Sequence, residues 1–250
     1  MMTVATPVTL AMALAFCAVH LFVAKLKFLD KLPRSRWLSF AGGVAVGYVF
    51  LHLLPELAAH GDVFRDQAGI DMMLAEAWVY TLSLAGLVLF YGIEKAVASS
   101  RKGRMREEGK PHPEPGVFWI HVAVSSVLVA IVAYLLNFRE GEPTGLLLYF
   151  GALLLHFITA DFAARATYPE LYDRAGRWVL VAATLIGWFV GTQVMLPELL
   201  IGCLFAFLGG AIVLVVMKEE LPEERESAFW PFLGGAVVYA ALVLTEHNFA

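Results

Sequence analysis

Charge is scarce in this chain. Only 16% of its 250 residues are charged and 60% are hydrophobic, where a soluble domain carries roughly a quarter charged residues. A single water-soluble core has no room for that much apolar surface. Cysteine is scarcer still: Cys17 and Cys203 both lie in apolar stretches, without CxxC spacing. That excludes a disulfide framework and a thiolate metal knuckle, and leaves two small core residues. No basic run is interleaved with aromatics, so nucleic acid is not an expected partner. Lysine and arginine are missing ahead of the first apolar run and follow it as Lys25 and Lys27. A cleavable signal peptide carries its charge the other way round, so the run reads as a retained helix with its N-terminus outside.

What the chain has instead is long apolar runs. A helix that crosses a bilayer needs ~20 apolar residues. Eight stretches qualify: 4–24, 37–54, 72–94, 117–137, 145–166, 177–196, 198–217 and 229–246. The last is short and contains Pro231, and only Pro197 and Glu198 separate the sixth from the seventh. Basic residues set the orientation, because cytoplasmic loops hold them in excess. Segments 25–36, 95–116, 165–177 and 218–228 hold all the Lys and Arg except Arg65 and Arg139. Eight spans then place both termini outside the cytoplasm. The loop 95–116 is expected to be cytoplasmic and solvated, with His112 its one histidine. The expected location is a plasma or bacterial inner membrane, with the lipid bilayer as the main partner.

Two stretches resemble each other. Residues 39–56 read SFAGGVAVGYVFLHLLPE, and residues 206–223 read AFLGGAIVLVVMKEELPE. Without a gap, Phe40, Gly42, Gly43, Leu54, Pro55 and Glu56 match Phe207, Gly209, Gly210, Leu221, Pro222 and Glu223. The charge pattern runs the second span outward and the seventh inward. An inverted repeat of spans 1–3 and 6–8 around two central helices follows, an arrangement typical of secondary transporters. In both copies proline is expected to stop the helix at the interface. Gly43 with Gly47, and Gly187 with Gly191, form GxxxG pairs that let helices approach closely in lipid.

Ionisable groups inside a bilayer are costly and usually functional. Those nearest mid-span are His20, His121, His156 and Asp161. His121 and His156 fall on the adjacent fourth and fifth spans, and neutral imidazole binds Zn²⁺ well. Ser125 lies one turn on from His121, on the same face. Asp161 follows His156 by five positions, a rotation of ~140° on an ideal helix, so a bulge would be needed to bring both to one face.

The segments GGVAVGYVFLHLLPE (42–56) and GGAIVLVVMKEELPE (209–223) resemble the second and seventh spans of the ZIP divalent-metal transporters. The eight-span layout and the basic third loop are similar too. The resemblance implies metal ligands on spans four to six. His121 and His156 match the family's histidines, but the carboxylates and prolines that follow them there are absent. Thr184 stands where the sixth span has a Glu, and Glu219 where an acidic residue often lies near the cytoplasmic exit. The fourth and fifth spans are accordingly expected to be straighter than in the family.

The leading expectation is a transporter, not an enzyme. It would move a Zn-like divalent ion toward the cytoplasm by alternating access, as a homodimer, with His121, His156 and Asp161 as transient ligands. Glu219 would be an exit relay, and Ser125 and Thr184 weak or pathway contacts. No prosthetic group is expected; the metal is cargo. A ZIP-fold protein that has lost metal transport is the first alternative, acting as a sensor, a partner subunit or a carrier of another solute. An intramembrane metal-dependent hydrolase using His121, His156, Asp161 and Ser126 is the second.

Overall fold

A computed structural model describes residues 6–26, 36–109, 112–138, 143–220 and 228–249. Among them there is no strand. The long helices are α1 (Thr6–Phe22), α2 (Arg36–Ala68), α3 (Met72–Glu108), α4 (Pro115–Leu135), α5 (Pro143–Thr167), α6 (Pro169–Gln193), α7 (Glu198–Glu220) and α8 (Phe229–Phe249). Among the described residues seven helices are long and apolar enough to cross a membrane, and α8 carries a shorter apolar stretch, Phe229–Thr245. These are the elements of an integral membrane protein.

The helices differ from expectation in three places. Pro55 does not end α2. It lacks an N–H, and its ring would press on the carbonyl four residues back. A π-turn at Val49–Leu53 absorbs the conflict, with the Leu54 N–H reaching back to the Val49 carbonyl. The helix then runs to Ala68, where Gly69 caps it at φ 65°. The matching Leu221–Glu223 lies outside the described residues.

The segment 95–116 is mostly helix, because α3 continues to Glu108. Apolarity ends near Glu94, but the Lys, Arg, Ala and Glu that follow are good helix formers. The remainder is tied down: the Glu114 N–H donates to Ser100 Oγ at 2.8 Å, and Arg104 donates to the Pro113 carbonyl at 3.0 Å. His112 Nδ1 lies 3.1 Å from the Thr167 carbonyl oxygen. The third difference is in α6, which starts at Pro169 and passes through a second π-turn, Tyr172–Gly176. By contrast α4 and α5 are unbroken α-helices, as their missing prolines imply.

The chain divides into two compact units. Unit 1 comprises Met1–Asp30, Tyr91–Gly141 and Phe157–Val194, and unit 2 comprises Lys31–Phe90, Glu142–His156 and Met195–Ala250. Helices α3 and α5 each contribute a segment to both.

In unit 1, α6 packs on α4 through the predicted glycine pair. A Cβ added at Gly187 would sit 2.1 Å from the Ala130 carbonyl oxygen, and one at Gly191 would sit 2.5 Å from Asn137 Nδ2. Asn137 ties three helix ends together. Its Oδ1 accepts from Thr9 Oγ1 at 3.1 Å, and its Nδ2 donates to the Trp188 carbonyl at 3.3 Å. Trp188 Nε1 closes the ring onto Thr9 Oγ1 at 3.1 Å. Asn137→Leu leaves the Trp188 carbonyl without its side-chain donor and fills a tight space. A loss of about 1–3 kcal/mol is expected, read as a lower Tm in detergent.

In unit 2, two helix pairs meet in the same way. For α2 and α8, a Cβ at Gly43 would lie 1.9 Å from the Phe232 carbonyl oxygen, and one at Gly235 would lie 2.1 Å from that of Phe40. For α7 and α3, a Cβ at Gly210 would lie 1.7 Å from the Ser83 carbonyl oxygen, and one at Gly86 would lie 2.0 Å from that of Phe207. Each contact is reciprocal: a glycine on one helix faces the carbonyl three residues before a glycine on the other. Beside the π-turn of α2, the Tyr239 hydroxyl pairs with His52 Nδ1 at 3.0 Å, and Tyr48 stacks on His52.

Candidate functional site

A buried ion-pair geometry lies inside unit 1. His20, on the last turn of α1, places Nδ1 2.6 Å from Asp161 Oδ2 on α5. The His20 side chain is fully buried, and that of Asp161 is 6% exposed. Such a separation is that of a strong, charge-assisted hydrogen bond. The other imidazole nitrogen, Nε2, is buried and has no hydrogen-bond partner. The surroundings are aromatic. Phe157 stands edge-on to Phe16 at 4.9 Å between ring centres and 5.3 Å from the His20 ring.

Local sequence explains how these groups meet. Because α5 is a regular α-helix, Asp161 is turned ~140° from His156. The boundary between the units falls just after His156, which belongs to unit 2, while Asp161 belongs to unit 1. In α6, the π-turn that follows Pro169 carries Tyr172, which is buried and whose hydroxyl donates to the His20 carbonyl at 3.5 Å. Such turns inside helices frequently mark functional positions. One turn beyond Asp161, Arg165 holds Asp173 with two parallel bonds, Nε to Oδ1 at 2.9 Å and Nη2 to Oδ2 at 3.0 Å. That pair is about one-third exposed on each side.

The residues implied by the ZIP resemblance are placed as follows. His121 is half-buried on α4 in unit 1, its ring 6.3 Å from that of Tyr168. Tyr168 is buried with its hydroxyl unpartnered, and burial with the nearby Glu94 carboxylate pushes its pKa up to about 12, so it stays a hydrogen-bond donor. His156 is half-buried in unit 2. Thr184 is fully buried, and its hydroxyl donates to the Leu180 carbonyl at 2.9 Å. Ser125 is half-buried on α4. Glu219 is in the last turn of α7, and its side chain lies outside the described residues. Asp161 is engaged by His20. Among the described residues no three His, Cys, Asp or Glu side chains group closely enough to hold a metal ion.

The sequence singled out His20 as intramembrane but gave it no partner, and it missed Tyr172. A signal was available. His20 stands four residues before the end of its apolar run at 24, and Asp161 five before the end of its run at 166. Both runs end on the side rich in Lys and Arg, so the two groups share a depth. No protein family, curated protein or solved structure matches the chain.

Proposed function

We propose that the chain is an inverted-repeat secondary carrier of ZIP-like layout, moving a Zn-like divalent cation toward the cytoplasm. The observation that carries this reading is the matched pair of helix contacts in unit 2. The sequence repeat, at an offset of 167, sends Phe40 and Gly43 of α2 onto Phe207 and Gly210 of α7. The α2–α8 contact then corresponds to the α7–α3 contact, with Phe232 and Gly235 corresponding to Ser83 and Gly86. Here the offset is 149, since only residues 221–228 lie between α7 and α8, whereas α2 runs on to Ala68. Chance similarity of two apolar helices gives no reason for their partners to match as well.

Unit 1 adds independent support. The same offset of 167 sends Cys17 of α1 onto Thr184 of α6, and Phe22 and Val23 onto Phe189 and Val190. The Cys17 thiol meets α6 within one turn of Thr184, 4.0 Å from the Val181 carbonyl oxygen. Carriers built in this way place their sites near the midplane and alternate access by rocking or gating one part of the fold against another. The eight-span count, the outward termini and a homodimer belong to the same reading.

For the cation, unit 1 offers His121. Asp161 we assign to His20 and not to the ion. That commitment favours a second reading, in which the fold is kept and metal transport is lost. A divalent ion in a bilayer needs anionic oxygens to offset its lost hydration. Zn²⁺ uptake into proteoliposomes separates the two readings, measured for the intact chain and for the His121→Ala/His156→Ala double variant. Uptake by the intact chain that falls at least about tenfold in the variant is expected, a loss of about 1.4 kcal/mol or more at the barrier. No uptake of Zn²⁺ or of other divalent ions by the intact chain would overturn the cargo and leave the second reading.

A further inference from the structure

We propose that the His20–Asp161 pair is a proton-binding site, with Nε2 of His20 as the atom that takes up the proton. This extends the carrier reading but does not depend on the cargo. The atom that matters is Nε2 of His20. It is buried with no partner, while Nδ1 is 2.6 Å from a carboxylate oxygen. A buried N–H without an acceptor is costly, and the unprotonated nitrogen is the cheaper state in a dry site. The conformation seen therefore holds one proton, between Nδ1 and Oδ2, and the pair carries a net charge of −1.

A second proton has one place to go. It binds the Nε2 lone pair and converts the pair to imidazolium and carboxylate, with net charge zero. No bond other than N–H forms, and the proton comes from water. The new N–H needs an acceptor, so uptake requires a conformation that admits water to Nε2. Closing again expels the water and returns the proton. Proton binding and opening of the site are thereby linked, each favouring the other. Ionisable His and Asp chains inside membranes serve this role in pumps and transporters.

The charged groups around the pair permit this. From α6, the Tyr172 hydroxyl donates to the His20 carbonyl at 3.5 Å. Arg165 and Asp173 satisfy each other one turn away. On α1 the nearest titratable neighbour is Cys17, whose thiol is 4.0 Å from the Val181 carbonyl of α6. Glu94 of α3 and His121 of α4 gather at Tyr168 instead. Arg165, the cation one turn from Asp161, is held by Asp173, and a proton fits the charge and the buried setting of the pair.

The test is ¹⁵N NMR of the full chain, labelled at histidine and held in lipid bilayers, with His20→Gln identifying the signals. From about pH 8 to about pH 5, the range in which an imidazole changes charge, His20 Nδ1 is expected to stay protonated. Nε2 is expected to pass from unprotonated to protonated and to exchange with water once it does. In Asp161→Asn that step is expected to move or vanish. Nε2 unprotonated throughout the range, or protonated throughout, would make the pair a static tie and overturn the proposal. The wild-type spectrum alone decides this, so a variant that folds poorly does not blur it. Failure of Zn²⁺ uptake would leave the result standing.

Discussion

Gly210→Ala is expected to cost more stability than any other glycine-to-alanine change among the described residues. Its Cβ would stand 1.7 Å from the Ser83 carbonyl oxygen, far inside van der Waals contact. The obstacle is the backbone of a packed helix, which cannot rotate away as a side chain would. Overpacking a tight interior usually costs about 1–3 kcal/mol, and sometimes more. Here the upper end or beyond is expected, because α7 and α3 must separate to make room. For a chain of this length each kcal/mol lowers Tm by roughly 2–4 °C. Gly43→Ala, at 1.9 Å from the Phe232 carbonyl oxygen, is expected to behave alike. Gly92→Ala and Gly151→Ala are the controls, since nothing lies within 4 Å of either added Cβ. Thermal unfolding in one detergent, followed for all four variants, gives the ranking. Gly210→Ala as stable as Gly92→Ala would refute the close approach of α3 and α7.

Asp161→Ala is the second large effect. It leaves the His20 imidazole buried with both nitrogens unpaired, where a lost partner costs about 1–3 kcal/mol. His20→Ala is expected to be worse, because it strands a carboxylate, and breaking a buried pair from one side costs about 3–5 kcal/mol. Asp161→Asn keeps a hydrogen bond and should lose less. His20→Leu/Asp161→Leu removes both polar groups, and such replacements are often neutral or stabilising. It is expected to be more stable than either single alanine variant. Additive losses in this series would mean that the two side chains do not depend on each other.

The positions of the helices were legible because lipid imposes a plain rule on composition. Each apolar run lies largely within one helix. Their ends were less legible. Helix α3 continues to Glu108 because helix propensity outlasts apolarity. Helix α2 passes Pro55 because a π-turn lets the backbone widen, a local adjustment with no simple sequence mark. The glycines that matter for packing were visible as GxxxG at Gly187 and Gly191. The Phe40–Gly43 and Ser83–Gly86 contacts depend on which helices become neighbours, and periodicity does not give that.

The site was half legible. Asp161 stood out as an intramembrane carboxylate, and the rotation along α5 argued against His156 as its companion. Its partner His20 is 141 residues away on a helix from the other end of the chain. Nothing local in either stretch names the other. Tyr172 meets His20 only through the π-turn in α6, in a segment that composition alone assigns to a polar connection.

The inverted repeat is the centre of this account, and the side of the membrane reached by matched positions tests it most directly. At the repeat offset Ala58 corresponds to Arg225. With Cys17 and Cys203 replaced by serine, Ala58→Cys and Arg225→Cys would each be labelled in intact cells by a thiol reagent that does not cross membranes. Labelling of position 58 but not of position 225 is predicted, with position 225 reacting once the membrane is opened. Labelling of both from the same side would contradict the inversion and the carrier built on it.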